Sequence, residues 1–309
     1  MRKAVALILA CLMLALTSMS ASAQDVSLPA LLAAAEQAVY GSERTGSLLE
    51  RIVRLELDVY GREQSGALLT RAQNIYAYLT GAIGGGSSVV VQLNVVEYMV
   101  FQRLSTGVGL VQRIEELERS ILGAPQQSRP LAERVRSLVE LVWPSGELNL
   151  QRVHLPAETL VRVRLLTEIN SGRNQVGDRI RYRVVEDVRV DGRIVIPAGA
   201  EGEGRVTAVQ SAGRFGQAGR VEIDWGTVPT FDGTPVRFAV LERAGRQNQE
   251  LAVAASIAGL MLLPPVGLIG GFLVQGGEHV VPAGTEFYVE VARPVDLLGL
   301  SLTPVRSGN

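Results

Sequence analysis

Apolar residues in the first half of the chain recur at the spacing of an α-helix. One such segment has Leu48, Ile52, Leu55 and Val59 as its apolar positions. Their spacing of i, i+4, i+7 and i+11 places them on one helix face, so we predict a helix here. Glycine follows this helix and two others in the position of a left-handed C-cap: Gly41, Gly61 and Gly123.

This helical pattern is repeated along the chain. Val39–Arg51 recurs 20 residues later as Val59–Arg71, and Leu110–Glu118 matches Leu48–Glu56 at an offset of 62. Leu131–Leu138 is a looser fourth copy. Single repeats of this size cannot bury their own apolar stripe, so the copies are expected to stack on one another.

The element in front of the repeats is duplicated as well. At an offset of 61, Ser27, Glu36, Val39 and Tyr40 recur as Ser88, Glu97, Val100 and Phe101. Both serines are predicted helix N-caps, and the glycine-rich stretch 81–88 is the predicted linker between copies. We infer a helical repeat domain at residues 24–143, made by copying a unit that contains two shorter repeats.

Each short repeat carries an arginine at the same position: Arg51, Arg71, Arg113 and Arg134. One interpretation is a recurring ligand contact. The other is that each arginine covers a helix face and pairs with nearby glutamates, and we favour it because arginine commonly does both on helices. The array is therefore predicted to serve for contact rather than for chemistry.

The second half of the chain changes to a period of two. We place the domain boundary at Trp143–Gly146, with a linker at 144–150. Turn signals separate the alternating segments Leu160–Leu165, Ile180–Val184 and Val221–Trp225. The prediction is an α+β protein in two domains, with an antiparallel β-barrel or sandwich at 151–298 and a tail at 299–309.

A short Pro-Ala phrase occurs three times in this half, at Leu155–Thr159, Ile196–Ala200 and Val281–Thr285. Proline has no N–H to donate to a strand ladder. Each phrase is therefore predicted to form a corner between two extended segments.

One long apolar segment, Leu251–Val274, interrupts the strand pattern. Its 24 residues are long enough for one membrane crossing, but Pro264 and Pro265 in the middle favour a helical hairpin of two short arms. We predict membrane or oligomer contact through Leu251, Ile257, Leu260, Leu262, Leu263, Pro264, Pro265, Leu268, Ile269 and Phe272. The alternative is a hairpin buried against the barrel.

The first 23 residues have the features of a cleavable signal peptide. Arg2 and Lys3 precede the apolar run Ala4–Leu16, and Ala21–Ala23 is the small-x-small pattern that signal peptidase accepts. An uncleaved anchor is the less favoured alternative, because 13 apolar residues are too few to cross a bilayer comfortably. We expect an exported protein that begins at Gln24 and is periplasmic or associated with the outer membrane.

Composition excludes several kinds of chemistry. Cys11 is the only cysteine and Lys3 the only lysine, so the exported part has neither. Disulfides, thiolate metal sites, cysteine nucleophiles and lysine Schiff bases are therefore excluded from it. His154 and His279, the only histidines, each precede a Pro-Ala phrase and lack the clustered partners that zinc needs. The formal net charge of −1 argues against a nucleic-acid surface, which requires clustered positive charge.

Three acidic residues, Glu186, Asp187 and Asp191, are the candidates for an acid/base pair. They lie beside a predicted hairpin turn, where acidic residues are common, and we favour that structural role. We predict no catalytic residue, no cofactor and no metal site.

The half from Val153 to Asp296 resembles the barrel domain of the TrbI family, scaffold proteins of type IV secretion and conjugation machines. The three Pro-Ala phrases and Arg220–Trp225 occur in the order found in that family. The resemblance implies a β-barrel with a helical hairpin between its last two phrases, a hairpin that in the family helps to form an outer-membrane pore. The cleaved leader, the helical repeats and Glu158, where glycine is usual, depart from the family pattern.

Together these features predict a non-enzymatic scaffold or interaction protein of the bacterial cell envelope. It would form homo-oligomers or bind an envelope partner, and contact the outer membrane through residues 251–274. A soluble periplasmic binding module with a buried hairpin is the main alternative. An envelope hydrolase is the least favoured, because nothing in the sequence activates a nucleophile or water.

Overall fold

A computed structural model describes residues 27–81, 88–143, 147–213, 219–257 and 280–303, with the backbone alone for 252–257. Within this part of the chain, six helices come first: α1 (Leu28–Tyr40), α2 (Leu48–Tyr60), α3 (Leu68–Thr80), α4 (Val89–Phe101), α5 (Leu110–Leu122) and α6 (Leu131–Val142). They form the N-terminal array. The predicted signal peptide lies outside the described residues.

Five helix ends are those that the sequence predicts, at Ser27, Ser88, Gly41, Gly61 and Gly123. The Ser27 and Ser88 hydroxyls accept hydrogen bonds from the N–H groups of Ala30 and Val91, at 3.4 and 3.2 Å. The three predicted C-cap glycines are in the left-handed conformation, with φ between 76° and 85°. Local sequence therefore fixes these five ends.

The array consists of two units of three helices, α1–α3 and α4–α6. Within the units, α1 packs against α3 and α4 against α6. Between the units, α1 contacts α5, α2 contacts α6 and α3 contacts α4. The duplicated element in front of the repeats thus becomes the first helix of each unit, and the two short repeats become the second and third.

The strands that follow are β1 (Leu150–Leu155), β2 (Leu160–Leu165), β3 (Ile169–Asn170), β4 (Arg179–Val184), β5 (Val188–Val190), β6 (Arg193–Ile196), β7 (Glu201–Gln210), β8 (Arg220–Val228), β9 (Val236–Ala239), β10 (Val280–Val281), β11 (Glu286–Val291) and β12 (Val295–Leu300). A helix, α7 (Glu242–Ile257), lies between β9 and β10 in sequence.

Six strands form a closed antiparallel barrel in the order β11-β2-β4-β7-β8-β9, and β9 joins β11 again. A second sheet has the order β1-β12-β6-β5, and β10 pairs with β3. The prediction of a barrel or a sandwich is therefore resolved as a barrel accompanied by a four-stranded sheet.

Large aromatic side chains fill the barrel. The ring centroids of Tyr182 and Trp225 are 5.8 Å apart, and those of Trp225 and Phe287 are 4.8 Å apart. The Tyr182 hydroxyl donates to the carbonyl of Trp225 at 2.7 Å. A Cβ at Gly202 would lie 2.3 Å from the Tyr182 ring, so only glycine fits there. The barrel interior is a packed core.

The outward positions of the barrel strands are charged. Across four neighbouring strands, Glu286, Arg164, Arg183 and Glu201 are successive cross-strand partners. Arg164 and Arg183, two like charges directly opposite each other, are each bonded to the glutamate on their other side. This wall is suited to water or to a polar partner.

The helix predicted before the double proline begins nine residues earlier than expected, at Glu242 rather than Leu251. Its described first part is polar and its last part is apolar. The remainder of the predicted hairpin, residues 258–274, lies outside the described residues. No helix in the described ranges is both long enough and apolar enough to cross a membrane.

Candidate interaction site

A buried carboxylate joins the first two helices of the array. Glu36 Oε1 accepts from Arg51 Nε at 3.0 Å, and Glu36 Oε2 accepts from Arg51 Nη2 at 2.7 Å and from the Arg44 N–H at 3.0 Å. Both oxygens and one orphan backbone donor are thereby satisfied. We call this arrangement of glutamate, arginine and backbone N–H a clasp.

The same clasp occurs at three further places, where the arginine Nη2 lies 2.6 to 2.7 Å from the carboxylate. The backbone donor is always eight residues after the glutamate, at 2.8 to 3.0 Å. The three clasps consist of Glu56, Arg71 and Gln64; Glu97, Arg113 and Ser105; and Glu118, Arg134 and Gln126. The predicted pairing of the repeat arginines with glutamates is confirmed.

The clasps hold charges that are almost fully removed from water. Glu118 is 1% exposed and Arg134 is 4% exposed. Burial alone would raise the pKa of the Glu118 carboxyl, but hydrogen bonds from Arg134 and the Gln126 N–H outweigh it, so this pKa is lowered. The pKa of Glu36 is lowered by the corresponding balance of burial and the bonds from Arg51 and Arg44. The carboxylates of Glu36 and Glu118 are therefore ionised parts of the core.

Clasps are found within units and not between them. The first helix of each unit has Leu31 or Gln92 at the arginine position, and the third has Tyr76 or Val139 at the glutamate position. Both partners are thus replaced together where α3 meets α4. This fits the large cost of leaving one buried charge without its partner.

Helix α4 carries the contacts with the β domain. Asn94 Nδ2 donates to the carbonyl of Phe231, in the loop between β8 and β9, at 2.7 Å. Asn94 Oδ1 accepts from Arg113 Nη2 at 2.6 Å, which links the third clasp to the barrel. One turn further along α4, the Tyr98 ring packs edge-on against Phe231, with centroids 5.4 Å apart.

Tyr98 also contacts Asp187, one of the three acidic residues that the sequence singled out. Its hydroxyl donates to the Asp187 carboxylate at 2.8 Å, and the same carboxylate accepts from the Ala198 N–H at 2.9 Å. Burial and this hydrogen bond raise the pKa of the Tyr98 hydroxyl. Asp187 is therefore a junction between α4 and two loops of the β domain, a role that the expectation of a hairpin-turn residue did not include.

The last contact is between two backbones. Gln102 ends α4 in a left-handed conformation at φ 50°, and its carbonyl faces Gly199. A Cβ at Gly199 would lie 1.8 Å from that oxygen, so this approach requires glycine. Asn94, Tyr98 and Gln102 form one i, i+4, i+8 stripe, which we call the docking stripe.

Sequence reasoning missed the docking stripe. At an offset of 61, the corresponding residues of the first copy are Ala33, Gln37 and Gly41. The helices α1 and α4 are identical at only three of their thirteen positions, Leu32, Glu36 and Val39 in α1, so comparing the copies does not single out this face. The clasp glutamate is one of the three positions that both copies keep.

The three Pro-Ala corners have the same geometry. Glu158, Gly199 and Gly284 each have a positive φ, of 60°, 82° and 91°. Their N–H groups donate to the carbonyls of Val291, Val184 and Leu165 at 2.8 to 2.9 Å. Glu158 is the one corner residue of the three with a side chain in this region, which favours glycine.

The predicted contact residues of the apolar segment are mostly outside the described residues. Leu251 lies on α7 and is 37% exposed. Ile257 ends α7, and only its backbone is described. The other eight, from Leu260 to Phe272, are not among the described residues, and their contact role stays a prediction.

His154 does not belong to a metal site in the described part of the chain. Its Nδ1 lies 2.8 Å from Asp296 Oδ1, its cross-strand partner on β12, and both side chains are exposed. No group of three or more His, Cys, Asp or Glu side chains suited to a metal ion occurs among the described residues. His279 lies outside them.

The chain matches no model of a known protein family, and no curated protein matches it. Among solved structures it is similar to ComB10 of the Com type IV secretion system of Helicobacter pylori, at 14% sequence identity and a TM-score of 0.26. The match covers 46% of this chain and 90% of that chain. A TM-score of this size establishes neither a shared fold nor a shared function.

Proposed function

We propose that this protein is a non-enzymatic scaffold of the bacterial cell envelope, in which a duplicated helical array is held rigidly on a β-barrel. The observation that carries the proposal is the docking stripe. It fixes α4 to three loops of the β domain through two hydrogen-bonded side chains and one close backbone contact. A scaffold requires such a fixed relation between its surfaces.

The use of buried charge supports a structural role. In each of the four clasps the arginine donates to the glutamate, and the glutamate also accepts from a backbone N–H group. Catalytic groups, by contrast, need access to a substrate and a free proton position. The charges buried in the array therefore serve its assembly.

The cell location in this proposal rests on the leader sequence at 1–23. Contact with the outer membrane or with further copies is assigned to the apolar residues that follow Leu251. Long apolar stretches without a polar face are costly to expose to water, so a lipid or protein partner is expected for them.

Cell fractionation and mass measurement test the proposal. The full chain is produced in a diderm bacterium, beside a variant that lacks residues 258–274 and keeps α7. We expect a mature protein that begins at Gln24, resists a carbonate wash of the membranes and forms an oligomer in detergent. We expect the deletion variant to be exported, soluble and smaller.

Two results would contradict the proposal. Retention of an uncleaved chain in the cytoplasm would remove the envelope location. An exported full-length protein that is monomeric and freely soluble would instead favour the periplasmic binding module.

A further inference from the structure

Strand β11 closes the barrel with one complete and one incomplete seam. It pairs with β2 at five positions, from Glu286 to Glu290, but with β9 only at Glu290 and Val291. Strand β9 ends at Ala239, where the chain turns towards α7. The rest of that β11 edge has no strand beside it among the described residues, and such an edge is a template for pairing with another chain.

A side chain from α7 takes the place of the missing strand. Asn248 Nδ2 donates to the carbonyl of Tyr288 at 2.9 Å, and the Tyr288 N–H donates to Asn248 Oδ1 at 2.6 Å. The asparagine amide thus supplies one donor and one acceptor, as a peptide group of a paired strand does. At Tyr288 the Asn248 amide therefore makes the two hydrogen bonds that a neighbouring strand would otherwise make.

Few of the described side chains of α7 are buried over this seam. Of its described side chains, from Glu242 to Leu251, only Ala244 and Asn248 are buried. Gly245 lowers the helix propensity of its first turns, and no atom lies within 4 Å of where its Cβ would be. The described part of α7 therefore has few buried contacts to lose when the helix leaves the β11 edge.

A buried carboxylate without a partner lies two residues further along β11 than Tyr288. Glu290 lies on the outward side of β11, where α7 packs, and is fully buried. Neither of its carboxylate oxygens has a hydrogen-bond partner among the described residues. A buried polar group without a partner is destabilising in either protonation state.

The basic groups on the elements around Glu290 are engaged elsewhere. On β2 and β9, Arg162 bonds to Glu286 and Arg237 bonds to Asp224. On α7, Arg246 bonds to Glu242, and Arg243 donates to the carbonyl of Glu158. A basic side chain that entered with a new strand would give Glu290 the partner it lacks.

We propose that the β11 edge at Tyr288 is a strand-addition site, covered by α7 in the free protein and opened to an extended peptide that carries a basic side chain. The peptide nature of the ligand follows from the amide that occupies the edge, and its charge follows from Glu290. This inference rests on the proposed function as an interaction scaffold and names one of its binding surfaces.

Amide hydrogen exchange at Tyr288 tests the cover. Asn248→Ala removes the two hydrogen bonds between the Asn248 amide and Tyr288, and it is expected to speed exchange about tenfold. Gly245→Ala strengthens α7 without a new contact and is expected to slow exchange about threefold. Exchange at Val163, inside the complete seam, serves as the internal reference. Unchanged exchange at Tyr288 in both variants would overturn the proposed cover, and Gly245→Ala gives this answer even if Asn248→Ala does not fold.

Peptide binding tests the ligand. The probe is a labelled peptide with the sequence of β2, the natural partner of β11, and its control has both arginines replaced by glutamate. We expect the arginine peptide to bind Asn248→Ala about tenfold more tightly than the unaltered protein, and Gly245→Ala more weakly. Glu290→Gln should reduce the preference for the arginine peptide. Equal binding of both peptides, or no binding to any variant, would overturn the site.

These measurements are independent of cell fraction and oligomeric state. A failure at the β11 edge would therefore leave the scaffold proposal standing, and a failure of export or oligomerisation would leave the peptide measurements interpretable.

Discussion

At the scale of single residues, the clasp is the unit that makes the array specific. It satisfies a carboxylate, a guanidinium and an orphan backbone N–H at once, as at Glu56, Arg71 and Gln64. Buried ion pairs of this kind contribute little net stability compared with apolar replacements, but they are costly to break on one side. The replacement of both partners at Tyr76 and Gln92 follows this rule.

Breaking one clasp on one side is expected to be severe. Arg71→Gln should lower the free energy of unfolding by about 3–5 kcal/mol, because Glu56 then keeps a buried charge. The double variant Glu56→Tyr with Arg71→Gln, which copies the residues at the α3–α4 junction, should recover more than half of this loss. Urea unfolding of both variants measures the difference.

The control for this pair is an exposed ion pair, Arg119 and Glu115. Arg119→Gln should cost less than about 1 kcal/mol, as exposed pairs generally do. A double variant of the clasp that is no better than the single one would contradict the account of paired replacement.

The clasps also predict how stability depends on pH. The pKa values of Glu36 and Glu118 are lowered in the folded protein, from an ordinary value of 4.5. Their contribution to the free energy of unfolding is therefore complete above about pH 4.5 and is lost as the pH falls through the folded-state values. We expect acid unfolding to set in below pH 4.5.

A variant with Glu118→Gln and Arg134→Gln should lose stability less steeply over the same pH range, as followed by circular dichroism. The exposed change Glu140→Gln is the matched control. An unfolding free energy that is flat below pH 4.5 would be inconsistent with ionised clasps.

At the scale of elements, the three Pro-Ala corners show one backbone solution used with different residues. Gly284 has open space where its Cβ would be, whereas Gly199 faces the carbonyl of Gln102 at the end of α4. The two glycines share a positive φ, and they differ in whether another part of the chain packs on them. This difference separates backbone strain from contact between domains.

Alanine at these two corners is expected to act differently. Gly284→Ala should cost about 1–2 kcal/mol, the strain of a left-handed residue with a Cβ. Gly199→Ala should carry the same backbone strain. Its Cβ should also displace α4, so that the array and the barrel unfold in two separate transitions. Differential scanning calorimetry distinguishes the outcomes, and identical single transitions for both variants would refute the contact.

Much at this scale follows from the sequence, because helix caps and strand alternation are local signals. The ends of the helices at Ser27, Ser88 and Gly61 were predictable in this way. The start of α7 was not, since its first nine residues are mostly polar and are fixed by tertiary contacts such as those of Asn248. The docking stripe depends on loops far away in sequence, which periodicity does not reveal.

At the scale of the whole molecule, two domains are joined through one helix. In the third clasp, Arg113 donates to Glu97 and also to Asn94 Oδ1. Asn94 in turn donates to the carbonyl of Phe231 in the β8–β9 loop. The same helix reaches Asp187 through Tyr98. The central claim is that these contacts make the array and the barrel a single rigid scaffold.

The most direct test is an electron-spin distance between the two domains. Cys11 is the only cysteine and lies in the predicted leader, so spin labels can be placed by Gln73→Cys on α3 and Val176→Cys before β4. We expect a single narrow distance distribution. The variant with Asn94→Ala and Tyr98→Gln, which restores the α1 residue types, should broaden it, whereas Gln37→Ala on α1 should not. A broad distribution in the otherwise unaltered protein would contradict the rigid scaffold.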